Sequence, residues 1–69
     1  MKIKQKGNPT TAVGKWLQRY FRGSALVKDF VPHMVENYRT HKGTCISRRA
    51  VISRIEKAVA CNQIEKSEV

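Results

Sequence analysis

The amino-acid sequence predicts a mainly α domain of three helices with at most a minimal β-element. Three observations carry that expectation. Apolar residues recur at helical spacing in three separate stretches. Each stretch is bracketed by residue types that start and stop helices. The chain has 69 residues, room for one domain with a small core and no more.

The first helix has the clearest pattern. Thr10 or Thr11 offers an N-cap hydroxyl to an orphan amide. Val13, Trp16, Leu17, Tyr20 and Phe21 then follow at i, i+3, i+4, i+7 and i+8, one helical face. Arg22 suits the last turn, where a cation meets the negative end of the dipole, and Gly23 suits the C′ position.

Ser24 to Lys28 is too short for a helix, and Ala25-Leu26-Val27 reads as an extended segment or a very short strand. Asp29 then predicts an N-cap, with a second helix starting at Phe30 and Pro32 in its first turn, where a missing amide hydrogen is harmless. A helix running through from Ala25 would hold that proline in its interior at a cost of about 3 kcal/mol. Phe30, Met34 and Tyr38 share a stripe that Val31 and Val35 widen. His41 and Lys42 suit the C-terminus of this helix, and Gly43 ends it. After the connection Thr44-Cys45-Ile46, Ser47 caps a third helix from Arg48 to about Ala60. Its apolar face is Val51, Ile52, Ile55, Ala58 and Val59. Arg49, Ala50, Ser53 and Lys57 lie opposite, with Arg54 at the edge.

The chain ends are weaker. Lys2, Lys4 and Lys6 alternate with Ile3 and Gln5, and Gly7-Asn8-Pro9 marks a loop. Residues 1–9 are therefore expected as a flexible basic arm, residues 10–61 as the folded domain, and residues 62–69 as a tail or single strand.

Charge narrows the function classes. Fourteen Lys and Arg stand against five Asp and Glu, a net +9. Residues 1–54 carry twelve of those cations and only two acids, Asp29 and Glu36. Such a density destabilises a small domain by self-repulsion, and its physical use is to attract phosphate. The acids are too few for paired-carboxylate chemistry, and Cys45 with His41 lacks an orienting third group, so no enzyme is expected. His33, His41, Cys45 and Cys61 have no zinc-site spacing, so neither metal nor other cofactor is expected. No apolar run approaches the roughly 20 residues of a membrane span, and no apolar stretch follows the basic start as in a signal peptide. The expectation is a cytoplasmic protein associated with nucleoid or chromatin, not a secreted one, in a reducing compartment, with the redox state of Cys45 and Cys61 left open.

The third helix focuses the charge. It opens with Ser47-Arg48-Arg49 and keeps small residues between cations. A DNA-reading helix needs that arrangement: small side chains admit the backbone to the major groove, and flanking cations reach guanine edges and phosphates. Arg48, Arg49, Ser53 and Arg54 are the candidate base-facing residues. Lys2, Lys4, Lys6, Lys15, Arg19, Lys28, Lys42 and Lys57 are candidate phosphate contacts. A helix, a Gly-containing turn around Lys42-Gly43-Thr44-Cys45, and a basic second helix together form a helix-turn-helix pattern.

Trp16-Leu17, Gly23, the run from Asp29-Phe30-Val31 to Tyr38, and Ile46-Ser47 followed by Val51 and Ile55 resemble the regulatory-factor-X type winged helix. The resemblance covers roughly residues 13–59, in spacing and apolar type more than identity. It implies a winged-helix-like domain that binds double-stranded DNA in transcription or replication control, a kind of regulator common in phages and mobile elements. The family follows its third helix with a two-stranded wing, and here only about ten residues remain, without a Gly or Pro turn. Wing contacts are therefore not carried over. Two other readings use the same cations. One is an RNA or single-strand binder stacking bases on Tyr20 or Tyr38, although helical spacing assigns most aromatics to the core. The other is an interaction module that docks on an acidic protein partner. A homodimer formed through the C-terminal segment would suit a DNA reader, because one short helix gives limited specificity.

Overall fold

The computed structural model describes residues 1–68. The elements in order are β1 (Lys2–Gln5), α1 (Ala12–Phe21), β2 (Ser24–Leu26), α2 (Val27–Asn37), α3 (Arg48–Ala60) and β3 (Ile64–Ser67). The three helices hold about half of the chain. The strands form one antiparallel sheet in the order β2-β1-β3, more β structure than the sequence predicts, and the fold is α+β.

The largest correction falls at the N-terminus. Residues 2–5, expected within a flexible arm, are the central strand. β1 pairs with β2 through Lys2↔Leu26, Ile3↔Ala25 and Lys4↔Ser24. It pairs with β3 through Lys2↔Ser67, Ile3↔Lys66, Lys4↔Glu65 and Gln5↔Ile64. The two-residue period of a strand turns Ile3 inward and Lys2 and Lys4 outward. Ile3 is fully buried and both lysines are exposed. β3 settles the choice between tail and strand for residues 64–67, and its one apolar residue, Ile64, is buried. One strand follows the third helix, and it pairs with the N-terminal strand at the centre of the sheet rather than in a hairpin of its own.

The expected cap of α1 forms: Thr11 Oγ1 accepts from Gly14 N at 3.1 Å. Val13, Gly14 and Leu17 are buried. Arg22, not Gly23, takes the left-handed position that closes the helix (φ 56°), and Gly23 follows at φ 91°. These two residues swing the chain into β2, where Gln5 N donates to Gly23 O at 2.6 Å.

α2 departs from its predicted bounds at both ends. It starts at Val27, without a side-chain cap, so Asp29 sits in the first turn and Pro32 lies inside the helix. The sheet dictates this start. β2 stays extended as far as Leu26 to face Lys2, and Val27 N donates to Met1 O at 2.9 Å. The proline removes only the bond to the Lys28 carbonyl, on an exposed residue. At the other end Tyr38 N donates to Met34 O at 2.8 Å and the chain turns extended. His41, Lys42 and Gly43 therefore lie beyond the helix, not in its last turn.

α3 has the predicted bounds. Ser47 Oγ accepts from Ala50 N at 3.1 Å. The helix ends in a Schellman motif, with Asn62 left-handed at φ 61°, Gln63 N donating to Ala58 O at 2.9 Å and Asn62 N to Val59 O at 3.1 Å. That motif aims the chain into β3. One core joins the layers, with Ile3 and Ile64 from the sheet meeting Leu17, Phe30, Met34 and Val51 from the helices.

Candidate nucleic-acid interface

The rotation of α3 is set by Val51, Ile55 and Ala58, which are buried. Arg49 and Ser53 project to the opposite side, and Arg48 is exposed in the first turn. Arg54 and Lys57 lie on the flank toward α1. With Thr11, Ala12 and Ala58 they line an open cleft of about 220 Å³. Two details differ from the expected helix wheel. Ile52, assigned to the apolar face, is 46% exposed, because one residue past Val51 the helix has turned about 100°. Ala50, assigned to the outer face, is half-buried against the core. The outer side also carries Glu56, the single carboxylate of α3, paired with Lys66 Nζ at 3.1 Å. Sequence reading passed over Glu56, although its position two turns after Arg49 and one after Ser53 marks it as their neighbour.

The segment before α3 is longer than a tight turn. Residues 38–47 separate the helices. Arg39 and Cys45 form an isolated antiparallel bridge, Thr40 N donates to Thr44 O at 3.0 Å, and Gly43 N donates to Thr40 O at 2.8 Å. Gly43 has φ 80°, which favours glycine. His41 and Lys42 are exposed at the tip of this small loop, and Ile46 anchors its return in the core.

The remaining candidate cations are all exposed, but they do not share one face. Lys15 and Arg19 lie on the outer side of α1, and Lys28 in the first turn of α2. Lys2 and Lys4 occupy the side of the sheet turned away from the helices, and Lys6 follows β1, its N donating to Gln63 O at 2.8 Å. Five of the candidates lie on α3, with Arg49 and Ser53 opposite its buried line, Arg48 on one flank and Arg54 and Lys57 on the other, and Lys42 is on the loop leading into it.

The aromatic residues form a second grouping, on one side of α1. Of the five, only Phe30 is in the buried core; Trp16, Phe21 and Tyr38 are half-buried and Tyr20 is 46% exposed. Ring centroids lie 4.4 Å apart for Trp16–Tyr20, 5.5 Å for Trp16–Tyr38 and 5.2 Å for Tyr20–His33. Trp16 Nε1 donates to His33 Nδ1 at 3.0 Å, tying α1 to α2. The Arg19 guanidinium lies 5.5 Å from the Tyr20 ring centre, and that of Arg54 lies 5.8 Å from the Tyr38 ring centre. Sequence reading placed most aromatics in the core with Tyr20 or Tyr38 as the exception; Trp16, Phe21 and Tyr38 pack against the core and Tyr20 is the exposed one.

Cys45 and Cys61 are free and exposed. Among the described residues, no cluster of three or more His, Cys, Asp or Glu side chains is placed to hold a metal ion, and no helix is long and apolar enough to cross a membrane. No known protein family, curated protein or solved structure matches the chain.

Proposed function

We propose that this protein binds double-stranded DNA through α3 and acts in transcription or replication control. The observation that carries the reading is the composition of one exposed helix face. Arg48 and Arg49 stand in the first turn behind a capped N-terminus, Ser53 follows one turn on, and Arg54 and Lys57 flank it. Ser53, small and in the middle of that face, lets the backbone approach a groove floor, Ile52 and Glu56 lie at its edge, and the flanking guanidinium groups reach guanine edges or phosphates. The amides at the start of the helix add a weak anion preference.

The strand after α3 pairs with the N-terminal strand β1 inside a three-stranded sheet, so the reading takes no wing contacts and rests on α3. The ten-residue loop between α2 and α3 weighs against a tight helix-turn-helix. It adds Lys42 and His41 as contacts ahead of the reading helix.

The test is a chemical-shift titration of the whole chain with a duplex oligonucleotide. Perturbations clustered on residues 47–57 with a smaller set at 39–43 are expected. Perturbations confined to Lys2 and Lys4, or none at all, would reject the reading and favour an acidic protein partner.

A further inference from the structure

We propose that the aromatic patch formed by Trp16, Tyr20, His33 and Tyr38 is a stacking site for an unpaired base of a single-stranded nucleic acid. The inference goes beyond duplex reading by α3 and shares Lys15, Arg19 and Arg54 with it.

A chain this small needs its aromatics for burial, and Trp16 and Tyr38 are half-buried against the core, yet Tyr20 beside them leaves 46% of its area in solvent. They are also held in place. Trp16 packs on Tyr20, His33 and Tyr38 at centroid distances of 4.4, 5.6 and 5.5 Å. Its one polar atom, Nε1, is satisfied by His33 Nδ1. The indole therefore requires no polar partner from a ligand, and its orientation is fixed before binding. A preformed platform loses little entropy when a base settles on it.

The charge around the patch selects the ligand. Arg19 lies over Tyr20 and Arg54 over Tyr38, so a guanidinium borders the patch on two sides. Lys15 is exposed one residue before Trp16. Two carboxylates, Asp29 and Glu36, are exposed one turn to either side of His33 on α2, so the cationic border lies on the Arg19 and Arg54 sides of the patch. Aromatic faces bordered by cations match a ligand that alternates flat π-systems with anions, which is an unpaired polynucleotide strand. A base inside a duplex has its faces covered by its neighbours, so the patch complements strands and not duplexes.

Trp16 is the sole tryptophan, and it reports directly on the site. The whole chain would be titrated with an oligothymidylate of about twelve nucleotides, within the usual site sizes of single-strand binders. A matched abasic strand with the same phosphates and a blunt duplex would be run at the same salt. The expected result is saturable quenching of Trp16 by oligothymidylate, with affinity about tenfold above that for the abasic strand. Tyr20→Ala should lower oligothymidylate affinity to the abasic level and leave duplex affinity within about twofold. Tyr20→Phe should retain the difference, since stacking uses the ring and not the hydroxyl.

Equal affinity for thymidylate and abasic strands would overturn the proposal, as would a Tyr20→Ala protein with unchanged base dependence. Duplex binding that persists in that case leaves the α3 reading standing. Base-dependent strand binding without duplex binding rejects α3 as a duplex reader and keeps the stacking site.

Discussion

Replacing Ile3 by alanine tests the architecture at its least obvious point. Ile3 is fully buried on the central strand and touches a core to which every helix contributes. Truncation removes three carbons, a transfer loss of about 2.4 kcal/mol at roughly 0.8 kcal/mol each. A residual cavity adds to that, placing the total near 3–4 kcal/mol. A chain of this size has about 3–10 kcal/mol of stability to begin with. At roughly 4–8 °C per kcal/mol, the midpoint of thermal unfolding should fall on the order of 12–32 °C. Circular dichroism melts and urea titrations of the wild type, Ile3→Ala and Lys4→Ala would measure it. Lys4 is the neighbouring residue but is exposed, so its substitution should stay within about 0.5 kcal/mol. In a flexible arm the two substitutions would be equally harmless. An Ile3→Ala protein that melts within about 2 °C of the wild type would refute the central-strand assignment.

Further outcomes follow from single residues. Glu56→Gln removes the one carboxylate of α3 and should raise duplex affinity about three- to fivefold at low salt, measured by fluorescence anisotropy. Its effect on stability should stay under about 0.5 kcal/mol, because the pair with Lys66 is solvent-exposed. Asn62→Ala keeps the β-carbon in the left-handed position but loses the amide that makes asparagine tolerant of it, and should cost about 1 kcal/mol in a urea titration, whereas Asn62→Gly should be neutral or stabilising. With about six phosphate contacts supplied by α3, Lys42 and part of α1, log K for duplex DNA should fall against log salt with a slope near −5. A slope near zero would exclude phosphate as the partner.

The aromatic patch and the α3 face lie on adjoining surfaces through Arg54, which borders both the cleft beside α1 and the Tyr38 ring. A substitution at Arg54 is therefore expected to weaken both kinds of nucleic-acid binding. Arg49→Ala should affect the duplex alone, because Arg49 projects on the far side of α3 from its buried line. Parallel titrations of these two variants with duplex and single strand measure how far the sites are coupled.

What the sequence determined by itself was local. Helical periodicity with Thr11 and Ser47 as caps located α1 and α3, since a cap and a one-sided apolar stripe act within a few residues of each other. The exposure of Arg49, Ser53, Arg54 and Lys57 followed from the same stripe, and that of Arg48, which sits over the apolar side, from its place in the first turn. Tertiary structure decided the rest. β1 has one apolar residue in four and becomes a strand only because β2 and β3, from distant parts of the chain, supply its backbone partners. The start of α2 was moved from Phe30 to Val27 by the same pairing, against the local preference of Pro32 for a first turn. The surface position of Trp16, Tyr20 and Tyr38 was likewise a packing outcome. Periodicity reports which side of a helix is apolar, but only the neighbouring helix determines how much of that side it covers.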